Sequence, residues 1–216
     1  MTVVVGIVPA GGSGERLGHE LPKAFVVVGG RAMLEYSLDA LGAACERVVV
    51  AVPSRQSPVA SRQAIDFVAG GASRSESVRN AVLAAPEADV YVVHDAARPL
   101  VTPELVQRCL HALDGVDGAI AAARVTDTVK EAGADGRVLR TLDRSALWAI
   151  QTPQVFRGDL LRRALDVDEA TLAAATDDAS LVEAAGGIVR VVEAPPENLK
   201  VTSPADLKLA EALLGC

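Results

Sequence analysis

The run Val3-Val4-Val5-Gly6-Ile7-Val8-Pro9-Ala10-Gly11-Gly12-Ser13-Gly14-Glu15-Arg16-Leu17-Gly18, followed by Leu21-Pro22-Lys23, decides how this chain is read. Its apolar start, Val3 to Val8, reads as a buried strand. Pro9 cuts the strand, and the glycines after it let backbone N–H groups turn toward a bound anion. Arg16 and Lys23 add two cations suited to a polyphosphate. The loop is not a Walker A sequence, which ends in Gly-Lys-Ser/Thr and runs straight into a helix. Nor does Gly12-x-Gly14-x-x-x-Gly18 have dinucleotide spacing, and Pro22 interrupts where a first helix would run. Glycines alone mark only a tight βα connection, and Lys23 alone is an exposed loop lysine. Arg16 and Lys23 together carry the phosphate reading.

Composition agrees with a strand-and-helix core. Half of the 216 residues are hydrophobic but only 3% are aromatic, so the core is built from Val, Leu, Ile and Ala. Buried parallel strands covered by helices have that composition, and the length suits one domain spanning 1–216. A net charge of −7 gives no global field to attract nucleic acid. A polyanion must instead meet a local cluster of cations. Cys45, Cys109 and Cys216 lack metal-ligand spacing, as do His19, His94 and His111. An odd cysteine count without a CxxC fits a reduced, cytoplasmic protein, with Cys45 and Cys109 expected to pack inside helices. No apolar run approaches the ~20 residues of a membrane span and no signal peptide is recognisable, so no membrane anchor is expected.

Apolar and amphipathic stretches alternate along the chain, the signature of βαβ units. Strands are expected at Val3–Pro9, Arg47–Val52, Ile65–Ala69, Val90–His94, Ala119–Ala123, Ala146–Gln151 and Ile188–Val192. Leu34, Leu38 and Leu41 form one helical stripe, with Gly42 as its stop. Val78, Ala81, Val82 and Ala85 form a second behind a Ser73/Glu76 capping box. Thr102-Pro103 and Ser203-Pro204 open two more helices, with proline at the first helical position. The segment Thr126 to Arg144 breaks the alternation. Its two short β-prone pieces flank Gly133-Ala134-Asp135-Gly136, a hairpin turn. Such an arm is too thin to bury a core, so it either lies solvated on the surface or projects onto a second subunit.

In open α/β sheets ligands bind beyond the carboxyl ends of the strands. Five segments follow expected strands: the glycine loop, Gly70 to Ser77 with Arg74, His94 to Pro99, Thr152-Pro153-Gln154, and Asn198 to Thr202. They would bring polar and cationic residues to one edge. The motifs PAGGSGERLG, LPKAF, GGASRSESV, VHDAARP, the DT…DR stretch, QTPQ, TDDAS and NLKVT occur in that order. Over essentially the whole chain they resemble the 2-C-methyl-D-erythritol 4-phosphate cytidylyltransferases. The glycine loop alone would point only to the wider nucleotidyltransferase superfamily. HDAARP with TPQ and the late Lys-Val-Thr is far more specific.

The resemblance implies a single-domain, Rossmann-like nucleotidyltransferase fold, mostly parallel, with helices on both faces and a projecting β-hairpin arm at about 126–144. It implies transfer of CMP from CTP to a sugar-alcohol phosphate with release of pyrophosphate. Arg16 and Lys23 match the family's transition-state stabilisers. Pro9, Ala10, Gly11, Gly12, Ser13 and Gly14 would present backbone groups to the nucleotide. Gly71, Ala72, Ser77, Asp95 and Ala96 would complete its pocket, with the Ser77 hydroxyl reading the cytosine edge. Ala72 stands where many relatives carry an acidic residue, which leaves backbone contacts from that position. Asp95, Arg98, Thr152, Thr176 and Lys200 would meet the acceptor. Thr128 and Arg144 would reach the partner's site from the arm of a homodimer, with Asp127 fixing the geometry of the arm's cations there. Mg²⁺ would be held mainly by CTP phosphates, with Asp95 reaching it through water.

Read without the resemblance, Asp95 is a turn aspartate, Arg98 a loop pin and Arg144 a solvated arginine. A D-ribitol 5-phosphate cytidylyltransferase would share the nucleotide loop and differ only at the acceptor. A Rossmann oxidoreductase would need a ribose-binding acid where Ala51-Val52-Pro53-Ser54 stands. A non-catalytic scaffold has no use for Arg16 and Lys23 beside the loop.

Overall fold

The computed structural model describes residues 2–12, 22–53 and 64–215. Seven strands form its main sheet: β1 Val4–Pro9, β4 Arg47–Val52, β5 Ile65–Ala69, β6 Val90–Val93, β7 Gly118–Arg124, β10 Trp148–Arg157 and β11 Val189–Glu193. Their order across the sheet is β11-β7-β10-β6-β1-β4-β5. β1 runs parallel to β4 and β6, as do β4 to β5 and β7 to β11. Alternation along the strands then builds two cores. Val48, Val50 and Val52 face α1 (Met33–Gly42) and α3 (Pro103–His111). Val49 and Ala51 face the opposite layer, α2 (Arg74–Leu83) and α4 (Gly158–Leu165). That layer continues into α5 (Glu169–Ala174) and α6 (Asp178–Ala184). α7 (Pro204–Leu214) packs Ala210 against Val26, Val28 and Met33, beside the small ribbon of β2 (Val27–Val28) and β3 (Arg31–Ala32). No helix among the described residues is long and apolar enough to cross a membrane.

The helix caps follow local chemistry. Thr102 accepts from the Leu105 N–H, and Ser203 with Asp206 makes a full capping box. At α2 the box is only half formed. Ser73 accepts from Glu76 N–H, but the Glu76 carboxylate takes the N–H of Ala72 instead. Gly42 is the last helical residue and Ala43 ends α1 in an ordinary right-handed conformation, so the expected glycine stop is not used. Cys45 lies in the turn after α1, whereas Cys109 sits inside α3 as expected. Burial pushes both thiols up to about 12, which keeps them unreactive.

The largest departure is the sixth long strand. The apolar pattern places it over Ala146–Gln151, whereas β10 runs Trp148–Arg157, antiparallel to both β6 and β7. Its register shifts between Ile150 and Gln154, so Thr152-Pro153-Gln154 lie within the strand. Because β10 runs backwards, that irregular stretch still sits beside the carboxyl end of β6. The hairpin at 126–144 is as expected. β8 (Lys130–Ala132) pairs with β9 (Val138–Thr141), and Gly136 at φ +79° makes the left-handed turn.

Candidate active site

The chain passes from β1 outward to β4 and β5, then returns to place β6 on β1's other side. This is the topological switch point, where the loops after β1 and β6 part and leave a crevice. A cleft of about 390 Å³ opens there, lined by Pro9–Gly12, Lys23, Gly71–Arg74, Ser77, Asp95–Ala97 and Lys200. The expected nucleotide residues are thus brought together. Ser13, Gly14 and Arg16 lie outside the described residues. Lys23 N–H donates to Gly12 O at 2.9 Å, tying the two ends of the glycine loop together.

The Gly70-Gly71 turn is shaped by side chains of α2. Ser77 Oγ accepts from Gly71 N–H at 3.0 Å and donates to Ser73 O at 2.9 Å. Its proton is therefore spent, and it meets a ligand only with a lone pair. A Cβ at Gly71 would lie 2.3 Å from Glu76 Cγ, so only glycine allows that carboxylate to reach back to Ala72 N–H.

A second cleft of about 490 Å³ adjoins the first and shares Arg74, Asp95 and Lys200 with it. Arg98, Thr152 and Thr176 line it, together with Gln151, Gln154 and Asp177. Asp95 receives Arg74 Nε at 2.9 Å and Lys200 Nζ at 2.7 Å. Burial by itself would raise this carboxyl, but the two adjacent cations hold it well below the usual carboxylate range. Arg74 continues to the fully buried Asp178, Nη1 to Oδ2 at 2.8 Å. Arg98 pins its loop through a carbonyl rather than a carboxylate, donating to Asn198 O at 2.7 Å. Asn198 in turn donates to Gln151 Oε1 and Thr152 O, and Gln154 Nε2 donates to Asp177. Five distant motifs become one hydrogen-bonded unit. Asp127, Thr128 and Arg144 line neither cleft, and the Arg144 guanidinium donates to Thr126 O within the arm.

Beneath Asp95 lies a relay that sequence reading passes over. Thr152 Oγ1 accepts from Asp95 N–H at 3.0 Å and sits 3.1 Å from His94 Nδ1. His94 Nε2 faces Arg98 O at 3.3 Å. Burial drops the His94 pKa to about 4, so the ring is neutral. The carbonyl partner assigns the proton to Nε2, which leaves Nδ1 to accept from the threonine hydroxyl. Thr152→Val keeps the shape and strands both Asp95 N–H and His94 Nδ1. It should lose about 2–6 kcal/mol, since each of the two unsatisfied buried groups costs about 1–3 kcal/mol. Urea denaturation at neutral pH measures this, and a loss within error would refute the relay.

A glycine-rich loop and clustered cations at the switch point of a mostly parallel sheet define a nucleotide-binding transferase of the α/β class. Comparison with known proteins is specific. The family model for 2-C-methyl-D-erythritol 4-phosphate cytidylyltransferase matches residues 4–216. The enzyme so named from Nocardia farcinica is 47% identical over 98% of this chain and 94% of its own. That from Rubrobacter xylanophilus is 48% identical over 100% and 96%. A crystal structure of the Thermus thermophilus enzyme aligns over 100% of both chains, with a TM-score of 0.84 and 38% identity. The chain belongs to the 2-C-methyl-D-erythritol 4-phosphate cytidylyltransferase family.

Proposed function

We propose that this protein transfers CMP from CTP to 2-C-methyl-D-erythritol 4-phosphate, giving 4-diphosphocytidyl-2-C-methyl-D-erythritol and pyrophosphate. The observation that carries the reading is the pair of clefts meeting at Asp95 and Lys200. One suits a nucleotide and the other a phosphorylated acceptor. An acceptor phosphate oxygen attacks the α-phosphorus in line, and the bond to the bridging oxygen breaks with its electron pair leaving on pyrophosphate. A phosphate dianion is already a nucleophile, so positioning and charge stabilisation supply the catalysis. Arg16 and Lys23 stabilise the developing charge. The backbone of Pro9–Gly14 and the Gly71–Ala72 turn holds the nucleotide, with Ala96 and Asp95 closing the pocket. Lys200, Arg98 and Thr176 meet the acceptor, and Thr152, its hydroxyl engaged by His94 and Asp95, shapes the same cleft.

The metal fits this donor set only as a passenger on the triphosphate. Among the described residues no three His, Cys, Asp or Glu side chains converge, and Asp95 is already paired with two cations. Mg²⁺ bound by phosphate oxygens and water would supply charge neutralisation, with Asp95 reaching it through water. We further read the chain as one cytoplasmic domain. It acts as a homodimer in which Asp127, Thr128 and Arg144 serve the partner's acceptor site. The ribitol 5-phosphate reading is not favoured, because the matching family and the relatives above are named for the erythritol acceptor.

Pyrophosphate release tests the reaction, with CTP against each of the two acceptors. Turnover confined to ribitol 5-phosphate would overturn it. Base choice is a sharper consequence. With its proton given to Ser73 O, Ser77 Oγ can accept from the cytosine amine but opposes the uracil carbonyl with a lone pair. CTP should exceed UTP in kcat/KM by about tenfold to a hundredfold, the equivalent of one or two unpaired buried groups. Equal specificity constants would show that Ser77 does not read the base.

A further inference from the structure

Arg74, Asp95 and Lys200 form the wall common to both clefts, and the roles given above leave Arg74 unused. Lys200 Nζ is bound to Asp95 Oδ2 at 2.7 Å, yet the reaction needs its charge on the acceptor phosphate. The Asp95 side chain is only 11% exposed, against 41% for Lys200. Lys200 is therefore the partner able to turn toward the open cleft. A buried carboxylate stripped of its only counter-ion is strongly destabilised, so a lone Asp95–Lys200 pair would hold the lysine captive. Arg74 removes that obstacle, because its Nε holds the other carboxylate oxygen, Oδ1. The guanidinium is fixed at a second point by Asp178, on α6 and without solvent exposure. Two-point fixation sets the orientation of its planar fork, which a lysine cannot reproduce. Asp178 Oδ1 has no hydrogen-bond partner among the described residues, so Arg74 is the group that compensates this buried carboxylate.

We propose that Arg74, anchored by Asp178, is a positioning residue that keeps Asp95 compensated so that Lys200 can be released to the acceptor phosphate. The inference rests on the cytidylyltransferase reading above. Its test is steady-state kinetics of the full chain, with CTP and 2-C-methyl-D-erythritol 4-phosphate varied separately. Arg74→Met should raise the acceptor KM about tenfold or more and the CTP KM less than about threefold. Arg74→Lys, which restores charge without the second anchor, should recover part of the acceptor KM. Asp178→Asn keeps the volume and an oxygen for Arg74 Nη1, and should raise the acceptor KM about threefold. If Arg74→Met fails to fold, Asp178→Asn decides by the same split. A fall in kcat with both KM values unchanged means a merely structural role and overturns the proposal. Equal rises in both KM values mean direct nucleotide contact and overturn it too. A wild-type protein that turns over neither substrate pair removes the reading of the reaction and this inference together. An active wild type with unsplit variants removes the inference alone.

Discussion

Lys23→Ala should lower kcat by about 10²–10³ while leaving the fold intact, the usual cost of losing a charge aimed at a developing anion. Lys23 opens a short 3₁₀ turn, Lys23–Phe25, whose buried members are Ala24 and Phe25. Its backbone N–H donates to Gly12 O, a bond that truncating the side chain leaves in place. Truncation therefore removes little packing and takes a cation from the cleft beside Pro9–Gly12. Arg16→Ala should behave alike, by the sequence reading of that loop. Arg16→Lys should recover only part of the rate, because the guanidinium fork is lost. Turnover by pyrophosphate release, with a thermal melt as the control for folding, checks both variants. Near-normal rates in both alanine variants would overturn the proposed charge stabilisation.

Mixing two crippled chains should restore activity if the arm acts across a dimer. β8 and β9 are exposed along their whole length, with Val138 at 60% and Leu139 at 65%. An exposed ribbon with open strand edges and two uncovered large apolar side chains is a natural surface for a second copy about a two-fold axis. The arm also carries Thr128 and Arg144 without bringing them to either cleft of their own chain. Arg144→Ala and Lys200→Ala chains, each nearly inactive alone, are therefore mixed under subunit exchange. In a heterodimer one site draws Lys200 from the first chain and Arg144 from the second, and is whole. The other lacks both. Each heterodimer then returns toward half of the wild-type rate. If the arm serves its own subunit, every site keeps one defect and mixing restores nothing. A fully active monomer would dispose of the proposal more directly.

What can be read along the chain is what local physics encodes. β4 falls where its apolar run predicts it, because a buried parallel strand needs apolar residues on both faces, and β5 keeps its expected bounds as a half-exposed edge strand. Thr102 and Ser203 cap helices as expected, because an N-cap bond spans only three residues. The turn at Gly133–Gly136 follows from its glycines. The helices α4 to α6 escape the sequence reading, although Asp168 and Asp177 cap two of them through the same local bond. The cleft residues after β1, β5 and β6 are legible because strand ends in such a sheet converge on one edge.

Only the tertiary structure decided the rest. The direction of β10 depends on its neighbours β6 and β7, not on its own residues, so an apolar run could not reveal that it runs backwards. The partners of Arg74 lie 21 and 104 positions away, and no periodicity reports a contact at such separations. The commitment of the Ser77 proton to Ser73 O, and of the Thr152 hydroxyl to His94 and Asp95, likewise depends on atoms placed by packing. By itself the sequence determined the layers, the sheet edge where the cleft residues gather and the family. Three-dimensional placement decided which polar groups hold one another and which remain to meet a ligand, because hydrogen bonds depend on distances that chain order does not specify.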